Sequence, residues 1–170
     1  MAGMWLSGQR EGVFDSVKAA LDKFAKASVV DFSTYLIHSH LAEVIFLALE
    51  EGQKNHLSKV ELTEIEKNAR LAIKNLKKYA GVFSIGGPAL DRYKGQWEWH
   101  HNRPEQAHQF WRAATEKAHT FPITYEEGRA ELLLGKNLSV DDPERAIHLQ
   151  KAREIFEVSG YENWAAIADE

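Results

Sequence analysis

AHQFWRAATEKA, residues 107–118, places alanine at 107, tryptophan at 111 and alanine at 114, with no helix breaker inside the stretch. Steps of four and three keep these side chains on one side of an α-helix. A stripe that combines very small and very large side chains suits a close helix crossing. At an interaxial distance of about 8–10 Å one residue must be small, and a large neighbour one turn away fills the space beside it. Ala107 and Ala114 are then the points of close approach, and Trp111 is the plug.

The spacing recurs. Ala69, Ile73 and Leu76 lie 38 residues before Ala107, Trp111 and Ala114, and Arg145, Leu149 and Ala152 lie 38 after them; Phe83 and Phe121 share the offset. A helix–turn–helix unit repeating in the thirties is the signature of a solenoid. The flanking segments fit. Phe14, Val17, Leu21 and Phe24, widened by Val13 and Ala20, stripe an N-terminal helix. Leu41, Val44, Ile45, Ala48 and Leu49 stripe the next, opened by Asp31 or Ser33 and stopped at Gly52. SKVE at 58–61 and TYEE at 124–127 both spell a capping box, and Asp142-Pro143 a cap followed by proline. Pro88 and Pro104 suit first helical turns, and Gly160 a helix stop.

The pattern resembles the tetratricopeptide repeat, with its small residue, large residue four on and alanine three further. Gly95, twelve before Ala107, falls where that family crosses its two helices on a small residue, and Leu134-Gly135 matches its Leu-Gly. His119 stands in place of the family's helix-ending proline, and Arg145 in place of an alanine. YEEGRAELLLGKNLSVDDPERAIHLQKAREIFEVSGY, residues 125–161, is similar to the last repeats of large bacterial signalling proteins that join a nucleotide cyclase, an AAA-type or STAND ATPase and a tetratricopeptide tail. The resemblance implies an all-α chain of antiparallel hairpins stacked as a superhelix of about seven helices. It implies one domain over 1–170: an N-terminal helix at 11–27, repeats at 31–83, 88–121 and 124–160, and a partial helix at 162–170. It implies a non-enzymatic interaction or scaffold array that regulates or recruits. First helices of such repeats line a concave groove for a protein or peptide. Counted from Gly95, that inner face holds Arg92, Gln96 and Trp99 as partner-binding residues.

Composition narrows the function classes. The chain has 170 residues, 44% of them hydrophobic, a net charge of −4 and no cysteine. No nucleic-acid partner is suggested by that charge. Disulfides, thiolate metal sites and thiol nucleophiles are ruled out together. Residues 1–14 have no basic stretch followed by an apolar run, and Val44–Leu49 is too short to cross a bilayer, so the expectation is a cytoplasmic protein without a membrane partner.

Chemistry-bearing motifs are sparse. No phosphate-binding Gly-x4-Gly-Lys-Ser/Thr occurs, since Gly135-Lys136 is followed by Asn137. Glu98, His100, His101 and His108 offer the alternative, a metal-dependent enzyme or ligand sensor at the His-rich turn of residues 98–108. Adjacent histidines point about 100° apart on a helix, so no metal ligand set and no cofactor is assigned. Lys67, Arg70, Lys74, Lys77 and Lys78 form a basic stripe, read as the solvated back of an amphipathic helix. The N-terminal helix, with apolar residues on two flanks, is expected to pair with a second copy or with upstream repeats of a longer parent chain.

Overall fold

The computed structural model describes residues 12–54 and 57–169. Within them every regular element is helical: α1 Val13–Lys26, α2 Tyr35–Lys54, α3 Lys59–Ala80, α4 Gly87–His100, α5 Pro104–Thr120, α6 Thr124–Asn137, α7 Pro143–Val158 and α8 Glu162–Ala168. Short 3-10 turns at Phe32–Thr34 and Ser84–Gly86 precede α2 and α4. The helices fall into two compact units, one ending at Gly86 and the other starting at Gly87.

In the first unit, α2 packs on α1 and α3, and α1 also packs on α3. Asp31 accepts a bond from the Ser33 amide and so caps the 3-10 turn rather than α2 itself. The whole expected stripe of α2 is buried, and Ala42 and Phe46 are buried with it. Phe32–Gly52 is long and apolar enough to cross a membrane by length and composition, and 61% of it is buried inside the protein. Gly52 does not stop α2. It lies within the helix, and a β-carbon there would stand 3.0 Å from Leu62 and 3.1 Å from Leu57. The glycine permits close approach to α3, a role with the same sequence signature as a stop.

Ser58 caps α3 as its motif requires. Its hydroxyl accepts from the Glu61 amide at 3.3 Å, and the Glu61 carboxylate accepts from the Ser58 amide at 3.0 Å. Ala69 and Leu76 are fully buried and Ile73 half-buried, so the upstream copy of the stripe faces the core. Asn75 donates to the Leu21 carbonyl at 3.0 Å, and Lys18 pairs with Glu64, which sets α1 parallel to α3. Val13, Val17 and Leu21 are buried, and Phe14, Ala20 and Phe24 half-buried. α1 thus packs on α2 and α3 through Val13, Val17 and Leu21, while Phe14, Ala20 and Phe24 on its flanks stay partly open. Glu11, assigned to this helix by its pattern, lies outside the described residues.

In the second unit each helix packs on its successor, and α4 also touches α6. Ala107, Trp111, Ala114 and Ala118 are all fully buried. A β-carbon on Gly95 would collide with the Trp111 indole and stand 3.0 Å from the Ala107 carbonyl oxygen. Gly135 repeats the arrangement one hairpin later, with Leu149 where Trp111 was; a β-carbon would stand 2.6 Å from Leu149 Cγ. Trp111, Ala107 and Leu134 share a buried cluster, so the indole spans the α4–α5 crossing and reaches α6.

Three helix ends complete this unit. Asp142 accepts from the Glu144 amide at 2.9 Å, with Pro143 at the first helical position. TYEE does not form a capping box. Thr124 is already inside α6, the cap position belongs to Ile123, and the Glu127 amide bonds the Ile123 carbonyl at 3.1 Å. Arg145, the odd residue of the third stripe, donates to the carbonyls of Gly135 at 2.8 Å and Leu138 at 3.4 Å, satisfying the C-terminal end of α6. The seven-residue α8 packs on α7, with the Arg129 guanidinium 3.5 Å over the Trp164 ring.

Candidate interaction site

Arg92, Gln96 and Trp99 lie on one side of α4, as steps of four and three require. Their environments differ. Arg92 is fully buried, not open on an inner face. Its Nε donates to Glu126 Oε2 at 2.6 Å, its Nη2 to the Tyr93 hydroxyl at 2.7 Å, and its Nη1 to Gln96 Oε1 at 3.4 Å. The guanidinium also lies 4.0 Å over the Tyr93 ring. The carboxylate of α6 thus draws this arginine inward, and Arg92 positions Gln96 rather than presenting itself. Burial of a lone guanidinium is prohibitive, and Glu126, itself buried, supplies the counter-charge.

Gln96 is half-buried, and Trp99 keeps 38% of its surface exposed. The Trp99 ring stacks on His108 at 5.9 Å and meets Trp111 at 5.8 Å. Trp111 in turn donates its indole N–H to the Arg92 carbonyl at 3.2 Å. Trp99 is thus both a packed residue and a surface one: one face is braced by α5, and the remainder is open. A braced aromatic loses little side-chain freedom on binding, which suits an interface anchor.

The His-rich turn is organised by other contacts. Glu98 pairs with Arg103 at 2.5 Å. The His101 ring folds back on Trp97 at 4.1 Å, with Nδ1 2.8 Å from the Trp97 carbonyl. His100 and His101 meet edge-on at 5.2 Å. Among the described residues no three His, Asp or Glu side chains gather as a metal-binding group. His108 keeps a buried Nε2 with no hydrogen-bond partner, beside Trp99 and Trp111.

Sequence reading missed the charges that work across helices. Glu126 is the partner of Arg92, and Glu131 pairs with His148, both buried.

No family model, curated protein or solved structure matches the chain.

Proposed function

We propose that the chain is a tetratricopeptide-like array that binds a protein or peptide, and that it serves as a regulatory or recruiting part of a cytoplasmic bacterial signalling protein. The reading carries no catalytic role. The observation that supports it most is the half-open Trp99, held flat by His108 and Trp111 and flanked by Gln96. The superhelical arrangement is part of the proposal; its support is the repeated glycine crossing, Gly95 under Trp111 and Gly135 under Leu149.

The test compares affinity capture from a native bacterial lysate by the intact chain and by Trp99→Ala. A partner held by the former and lost by the latter, at equal thermal stability, supports the assignment. A partner retained equally by both refutes Trp99 as the anchor.

A further inference from the structure

An apolar surface left unexplained by packing lies at one end of the first unit. Val30 is 82% exposed, Leu36 59%, Val82 57% and Phe32 55%. The chain path brings them together. The turn after α1 leads through Phe32–Thr34 into α2, and α3 returns to the same end. Tyr79 donates its hydroxyl to the Phe32 carbonyl at 2.8 Å, the rings of Phe32 and Phe83 meet edge-on at 5.9 Å, and Lys78 bonds the Ala27 carbonyl.

Lysines surround this apolar end. Lys23 and Lys26 close α1, Lys77 and Lys78 close α3, and Lys74 lies one turn back; all are exposed. Asp22 and Asp31 are the acidic residues beside them, and Asp31 already accepts the Ser33 amide. Lysines in a last turn suit the helix macrodipole and need no partner for that. Exposed valine, leucine and phenylalanine side chains gain nothing from it. The combination of apolar tip and cationic surround is what a surface needs to meet an anionic lipid headgroup layer.

We propose that this end of the first unit docks on an anionic membrane surface, with Val30, Phe32, Leu36 and Val82 entering the headgroup layer and the lysines meeting lipid anions. Charge complementarity selects this occupant. A nucleic acid would use the lysines and leave the apolar tip in water. A second copy would bring like-charged lysines together. Docking on a membrane surface requires no membrane-spanning segment.

The test uses the intact chain in sedimentation with phosphatidylcholine vesicles and with mixed phosphatidylcholine–phosphatidylserine vesicles. Binding is expected to the mixed vesicles, weakening as salt rises. Val30→Asp with Leu36→Asp, and separately Lys74→Gln with Lys77→Gln, should each weaken it about tenfold or more with helical content and melting unchanged. The lysine pair keeps the test valid should the apolar pair disturb folding. Absence of binding to mixed vesicles overturns the proposal, as does binding that ignores both variants. Tighter retention of duplex DNA, or a dimer dissolved by Leu36→Asp, assigns the surface to that occupant instead.

Discussion

The Trp111 indole occupies the space that a side chain at Gly95 would need. The two residues come from different helices of one hairpin, and each sets the limit on the other. The indole is fully buried and bonded through Nε1 to the Arg92 carbonyl, so it cannot swing away.

Gly95→Ala is therefore expected to destabilise by about 1–3 kcal/mol through overpacking, despite the helix propensity that alanine adds. Trp111→Ala should cost about 3–5 kcal/mol as a cavity. The double variant should be less destabilised than the sum, because removing the indole removes the collision. Urea unfolding of the three proteins measures this coupling; strict additivity would contradict the contact.

The Arg92–Glu126 pair predicts a different asymmetry. Glu126→Ala leaves a buried guanidinium without its carboxylate and should cost about 3–5 kcal/mol. Arg92→Met combined with Glu126→Leu should recover much of that loss, since neither charge is then buried alone. Melting temperatures of the single and double variants decide it, the double variant melting above Glu126→Ala.

His38 makes the first unit sensitive to mild acid. Its ring is buried between Phe24 of α1 at 4.7 Å and Tyr79 of α3 at 5.2 Å, and its Nδ1 has no hydrogen-bond partner. Burial, then the neighbouring Lys78 charge, lowers its pKa from the ordinary 6.5. The unfolded chain takes up a proton that the folded chain refuses. The stability this neutral ring confers is complete above pH ~6.5 and falls as pH drops through that value toward the lower folded one. His38→Phe should flatten the dependence between pH ~7.5 and ~5.5 in denaturant titrations. The Ser58 bond to Glu61 and the Lys18 bond to Glu64 hold both carboxyls below their ordinary 4.5, so their contribution is lost only in stronger acid.

Ser58→Ala should remove about 0.5–2 kcal/mol by opening the start of α3. Thr124→Ala, at a position with the same four-residue motif but no cap, should change stability far less. Thermal denaturation of the pair separates a formed capping box from a spelled one.

These contrasts show what sequence pattern carries. Apolar spacing is legible because burial depends on one helix's own periodicity: Val17, Leu21, Ala107, Trp111 and Ala114 all lie where their stripes point. Gly95 was legible as a crossing because it sits at a fixed distance from Ala107. Gly52 was not, since a glycine that stops a helix and one that admits a neighbour have the same letter. The burial of Arg92 is not legible, because a charge on a helix looks the same whether it meets water or Glu126, 34 residues away. Only the docking of α6 against α4 distinguishes them. For the same reason the exposure of Trp99 depends on where His108 and Trp111 place their rings, not on its own helical position.

Packing of each second-unit helix on its immediate successor has a consequence for synthesis. Contacts close together in sequence close small loops and form quickly. When α5 emerges from the ribosome, its partner Gly95 is already outside, so the Trp111 stripe need not wait for the C-terminal half. The Leu134 side of that stripe stays open until α6 follows. The growing chain therefore exposes one apolar face at a time, a sequential burial that limits the interval in which nascent copies can aggregate.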